Sequence, residues 1–192
     1  PQMWTYFGVG KTGERWEEGF ADAICSCHMV VLVMSRTTFV MDAKHAKHDV
    51  TKLAEDSRCD NVLLEYNLAL ELNKLNNTAI MPLFVGDKDG SGQYTHFFQS
   101  GCMPKMEEEN NVVVRQISEK VEGYLERNMG FSREQMPERQ SVKAVLDSVK
   151  QFQGHFVQGN AYDAVKGAAQ SVYECAVRLV AEHRAQLAVE HF

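Results

Sequence analysis

Apolar positions along the chain change their spacing several times, and each change marks an element. In Gly13 to Ile24, GERWEEGFADAI, the residues Trp16, Phe20, Ala23 and Ile24 recur at helical intervals behind the turn GVGKTG, which predicts an amphipathic helix. Met29 to Met34 is an unbroken apolar, β-branched run ending at Ser35, the pattern of a strand buried on both faces. Arg36 to Arg58 is a polar connection in which Thr37, Thr38 and Phe39 are candidates to start a short helix. A helix is predicted from about Asp60 to Leu75, closed by Asn76 and Asn77, and then a second buried strand from Ala79 to Val85, stopped by GDKDGSG. Further helices come after it. One carries Val113, Ile117, Val121, Tyr124 and Leu125 and stops near Gly130; another begins after Pro137, carries Val142, Val145, Leu146, Val149 and Phe152 and ends at Gly154. The last runs from Ala161 to about Leu187, with Val165, Val172, Tyr173, Ala176 and Val180 on a side that needs a partner. Helix, strand, helix, strand without hairpin turns implies an α/β fold with parallel strands and right-handed crossovers.

The segment CDNVLLEYNLALELNKLNN carries the most telling pattern. Wound at about 100° per residue, it puts Asn67, Glu71 and Lys74 on one polar arc, where a solvated face is expected. Glu65 lies outside that arc, between the directions of Leu72 and Ala69. Its carboxylate is therefore expected at the margin of an apolar surface, where desolvation and neighbours set its chemistry. The ordinary alternative is that Glu65 borders a groove or pairs with a Lys or Arg.

Composition narrows the function. With 192 residues, 44% of them hydrophobic, the chain has enough material for a sizeable core. A net charge of −6 and the lack of any Lys/Arg-rich block argue against nucleic acid as a partner. No apolar run approaches a membrane span, and PQMWTYFGVG has no leader pattern, so a soluble cytoplasmic protein is expected. Five cysteines, Cys25, Cys27, Cys59, Cys102 and Cys175, without a C-x-x-C pair suit reduced thiols. No metal site is expected: Cys25-x-Cys27-His28 is too cramped, and Asp42, His45, His48 and Asp49 are routine in a polar connection. GVGKTG contains Gly-Lys-Thr but lacks the first glycine of a triphosphate loop and a preceding buried strand, a poor fit to such a loop.

Taken in order, these segments resemble a Toll/interleukin-1 receptor (TIR) domain over roughly Gly13 to Phe156. GERWEEGFADAI is similar to the family's glycine-containing loop and next helix, and MVVLVMS to its third strand with the terminal serine at Ser35. CDNVLLEYNLALEL is similar to the helix bearing the family's glutamate; IMPLFVG with Tyr94 to Phe97 resembles the fourth strand and the segment after it, and VKAVLDSVKQFQG the closing helix. The resemblance implies a flavodoxin-like parallel sheet ordered 2-1-3-4-5 with flanking helices. It divides the chain into a TIR-like domain over 1–157 and a helical extension over 158–192. Pro1 to Thr12 is too short for the family's opening strand, helix and second strand, so the first strands are expected to be missing and Met29–Met34 to lie at a sheet edge. Asn61, Val62 and Leu63 stand where enzymatic members often carry an aromatic residue.

Enzymatic members of this family cleave NAD+ to nicotinamide and ADP-ribose or a cyclised form. On that resemblance Glu65 is the catalytic residue, Ser35, Gly13 and Trp16 contribute to NAD+ binding, NAD+ is a substrate rather than a bound cofactor, and self-association or other TIR domains are the partners. The competing expectation is a non-enzymatic TIR scaffold in signal transduction. A flavodoxin-like regulatory domain fits less well, because neither strand ends in an acidic phosphoacceptor pair.

Overall fold

The computed structural model describes residues 16–35, 49–88, 91–96, 111–158 and 162–190. Their elements are α1 (Trp16–Cys25), β1 (Met29–Met34), a 3-10 turn at Val50–Lys52, α2 (Asn61–Asn76), β2 (Ala79–Lys88), β3 (Tyr94–His96), α3 (Arg115–Met129), a 3-10 turn at Arg133–Gln135, α4 (Val142–Val149), β4 (His155–Gln158) and α5 (Tyr162–Glu190). The chain is an α/β protein. Helices α1 to α4 belong to one compact unit; Val31 to Ser35, β2 from Met81, β3, β4 and α5 belong to another. Position 157/158, the boundary expected from sequence, falls within the second unit.

In the helical unit α2 is the central rod. It packs against α1, α3 and α4, and Leu63, Leu64, Leu68, Leu70 and Leu72 are all buried. Burying each leucine stabilises the fold by roughly 1.5–3 kcal/mol. Asp60 starts the helix as its N-cap, accepting from the Leu63 N–H at 2.9 Å. Asn77, in the left-handed region at φ 60°, ends it. The solvated arc expected from sequence is not there: Asn67 and Glu71 are buried, Glu71 to 1% exposure. Helices on three sides leave α2 no broad water-facing flank, so its polar residues find protein partners instead. Glu71 Oε1 accepts from Lys74 Nζ at 2.9 Å and from Gln140 Nε2.

Around this rod, α1 buries Ala21 and Cys25 and is held to α3 by polar contacts. Glu17 accepts from Lys120 Nζ at 2.5 Å and Tyr124 Oη at 2.9 Å, and Asp22 accepts from Arg127 and Asn128. Val142, Val145, Leu146 and Val149 of α4 are buried as their spacing requires, whereas Phe152 lies beyond the helix end and is half-buried. Ser141 caps α4, its Oγ accepting from the Ala144 N–H at 3.2 Å. Ser141→Ala is expected to cost about 1 kcal/mol, read as a lower midpoint in urea with an unchanged slope.

The described sheet has four strands in the order β1-β2-β3, with β4 also on β2. The Ala79 N–H donates to the His28 carbonyl at 2.9 Å where β1 and β2 both begin, so these strands run in the same direction. β2 and β4 are parallel, with Leu83 opposite His155 and Gly86 opposite Gln158. Two features depart from the sequence expectation. β2 runs on to Lys88 and pairs antiparallel with β3, Gly86 opposite His96 and Lys88 opposite Tyr94, so Gly86, Asp87 and Lys88 belong to the sheet rather than stopping it. Gly92, at φ +82°, lies between the two strands in a backbone conformation that favours glycine. The second departure is β4, which comes directly after Gly154, where no element was expected.

Among the described residues β1 pairs with β2 alone and forms a sheet edge. Its two faces differ. Val30, Leu32 and Met34 are buried, but Val33 is 54% exposed, so the strand is buried on one face rather than both.

In the same unit α5 packs against β4, burying Ala168, and a hydrogen bond of 3.2 Å joins Ser171 Oγ to His155 Nδ1. No helix among the described residues is long and apolar enough to cross a membrane.

Candidate functional site

Glu65 is set by the way α2 begins. The Asp60 cap fixes the first turn, and Glu65 comes one turn later, half-buried between Leu64, which is fully buried, and Tyr66, which is nearly so. No hydrogen bond or ion pair to the Glu65 side chain is formed among the described residues. Burial pushes its carboxyl up from an ordinary 4.5 to about 7, with the nearby Asp60 charge adding to the rise. A helix N-terminus favours a carboxylate by roughly 0.3–1 kcal/mol, less than one pKa unit at about 1.4 kcal/mol each. Desolvation therefore wins. The same burial, followed by the Glu65 and Asp60 charges, pushes the Tyr66 phenol up as well.

Asp60→Asn keeps a side-chain oxygen for the cap and removes the charge. Glu65 is then expected to titrate lower than in the parent chain, followed by NMR through its side-chain carboxyl carbon. An unchanged midpoint would mean that burial alone sets it.

The other residues expected to bind NAD+ fall elsewhere. Ser35 comes directly after β1, is half-buried and belongs to the sheet unit, whereas Glu65 belongs to the helical unit. Trp16 is the first residue of α1, and Gly13 lies outside the described residues. Of the polar connection, Asp42, His45 and His48 also lie outside them. Asp49 caps the first 3-10 turn and pairs with Lys52 at 3.0 Å.

Two hollows open in the helical unit, and Glu65 lines neither. One, of only about 10 Å³, is bounded by Leu63, Asn67, Val114, Ile117, Gln140, Val142 and Val145. The larger, about 310 Å³, is lined by Glu55, Val112, Val113, Arg115 and Arg139. Its arginines are engaged: Arg115 pairs with Glu55 at 2.9 Å and Arg139 with Glu122 at 2.7 Å. Sequence reasoning missed both arginines, whose only signal was an isolated positive charge.

Thiol chemistry is disfavoured in this unit. Burial pushes the Cys25 and Cys59 thiols up to about 11, which keeps both protonated and weakly nucleophilic at neutral pH. Cys25, Cys27, Cys59 and Cys175 are all free.

Together the fold and these residues define an α/β protein with a half-buried carboxylate on a central helix. Comparison with protein-family models, with curated proteins and with solved structures finds no significant match.

Proposed function

We propose that the chain is a TIR-type domain of flavodoxin-like topology that cleaves NAD+ at the bond between nicotinamide and ribose, with Glu65 as its catalytic residue. The observation that carries this reading is a half-buried carboxylate, raised to about 7 and lacking an ion-pair partner among the described residues. The strand order adds support, since β1-β2-β4 is the arrangement of the last three strands of a 2-1-3-4-5 sheet.

The chemistry asks little of the protein beyond electrostatics. Nicotinamide is already cationic in NAD+ and leaves with the electron pair of the bond that breaks, so no general acid is needed. Positive charge builds on the ribose, and an ionised carboxylate beside it stabilises that charge. The Glu65 oxygens would also accept hydrogen bonds from ribose hydroxyls. Water attack, with loss of its proton to solvent, gives ADP-ribose; attack by an adenine nitrogen gives a cyclic product. Ser35, Gly13 and Trp16 keep NAD+-binding roles in this reading on the strength of the resemblance alone.

The second reading is a TIR scaffold that self-associates or binds other TIR domains without chemistry. It is favoured by Asn61, Val62 and Leu63 where an aromatic residue is usual. Nicotinamide release from NAD+ by the full chain and by Glu65→Gln, at high protein concentration, separates the two. Turnover by the parent chain alone supports the enzyme, equal turnover by both removes Glu65 from catalysis, and no turnover by either favours the scaffold.

A further inference from the structure

The polar side of α2 is buried yet only partly paired. Asn67, 5% exposed, and Glu71 lie one turn apart on the same face of the helix. Gln140, from the segment that leads into α4, donates through Nε2 to Glu71 Oε1, which Lys74 also reaches. Asn67 has no such neighbour: among the described residues no hydrogen bond is formed to its side chain. Directly against it lies the smaller hollow of the helical unit, about 10 Å³, with Asn67 and Gln140 as its two polar walls. The other walls are apolar side chains of α2, α3 and α4, all of them buried, Ile117, Val142 and Val145 among them.

We infer that this hollow is a hydration site, holding one ordered water between the Asn67 and Gln140 amides. Size sets the first limit. A cavity of roughly 10–15 Å³ takes the centre of one water, so no organic molecule or hydrated ion fits. Chemistry sets the second. A buried water needs about two to four polar partners; Asn67 brings an acceptor and two donors, and Gln140 brings its carbonyl oxygen and the N–H not given to Glu71. A bare divalent cation is a poorer occupant, because two amide oxygens fall far short of the roughly six oxygens that such an ion gathers, and no carboxylate lines the hollow. A dry hollow is worse still. It would leave the buried Asn67 amide unpaired inside a helix that α1, α3 and α4 enclose, and buried polar groups in folded proteins are rarely left without a hydrogen bond. The water lets α2 carry an asparagine where its neighbours bury it, and joins α2 to the Gln140 segment beside the Glu71 contact. This inference concerns the interior of the helical unit and does not depend on whether NAD+ is cleaved.

Water-detected NMR on the isotope-labelled full chain tests it. Cross-peaks from the water line to the methyls of Ile117, Val142 and Val145 are expected, with the sign of contacts inside the protein, the mark of a water that stays bound while the molecule tumbles. Asn67→Leu fills the hollow and removes the amide together with its water. The cross-peaks are then expected to vanish and the urea midpoint to equal or exceed the parent's. Val145→Ile expels the water but keeps the amide, and is expected to lower the midpoint. For a dry hollow the opposite holds, since a methylene that fills empty apolar space stabilises. Absence of the cross-peaks in the parent chain overturns the proposal. So does Val145→Ile with a raised midpoint, or cross-peaks that persist in a folded Asn67→Leu variant.

Discussion

On the proposed NAD+ cleavage, Glu65→Gln is expected to lose nicotinamide release by about a hundredfold or more and, at the same time, to become more stable above neutral pH. Both effects arise from the same desolvated carboxylate. Its pKa rises from 4.5 to about 7 on folding. Between these values the folded chain keeps a proton that the unfolded chain has released, so this group makes stability fall as pH rises through that window and contributes no further change above about 8. The full shift corresponds to at most about 3 kcal/mol, and the water still reaching a half-buried side chain trims it to about 2 kcal/mol. Glutamine has no charge to desolvate. Urea midpoints of the two chains should therefore coincide near pH 4 and separate in favour of the variant by pH 8. Activity in the parent chain should rise with pH through about 7, because only the ionised form opposes a growing positive charge. Parallel stability profiles would show that Glu65 is solvated after all.

Gly154→Ala is expected to destabilise the sheet unit by more than the loss of a helix cap costs. A Cβ at this position would overlap the Phe84 ring and stand 2.6 Å from the Pro82 carbonyl oxygen, so backbone as well as side chain would have to move. Gly154 sits immediately before β4, where the parallel register with β2 begins at Leu83 and His155. Overpacking of this kind costs about 1–3 kcal/mol when side chains can yield, and a backbone oxygen yields less than a side chain. A loss of about 3 kcal/mol or more is expected, measured by chemical denaturation, with weakened hydrogen-exchange protection in Phe156 and Val157. A variant with the parent's midpoint would mean that β4 can shift at little cost.

How much of the fold the chain disclosed depends on which signals are local. Capping and spacing are local, so α2, α3 and α4 lie within a few residues of where Asp60, Gly130 and the Val142 stripe place them. β4 was illegible because four residues with one buried side chain, Val157, carry no periodicity, and its partner β2 is remote in sequence. The pairing of β2 with β3 escaped notice because a segment rich in Gly and Asp reads the same whether the chain returns or departs. Asn67 and Glu71 misled for another reason: a polar arc on a helix normally reports water, and nothing local says that Gln140 will come to meet Glu71. Glu65 stood out as a carboxylate away from that arc, whereas the hollow at Arg115 and Arg139 depends on two segments that only tertiary packing brings together.

The two compact units are interleaved along the chain, and this bears on how the protein emerges from the ribosome. The helical unit draws on α1 at Trp16–Cys25 and α4 at Val142–Val149, and the sheet unit waits for β4 and α5 after it. The helical unit cannot close until α4 has been synthesised, nor the sheet unit until β4 has, so contacts of long sequence separation dominate and folding is expected to be slow. The leucine-rich α2 segment would spend that interval without its neighbours, the period in which a nascent chain is most dependent on chaperone protection.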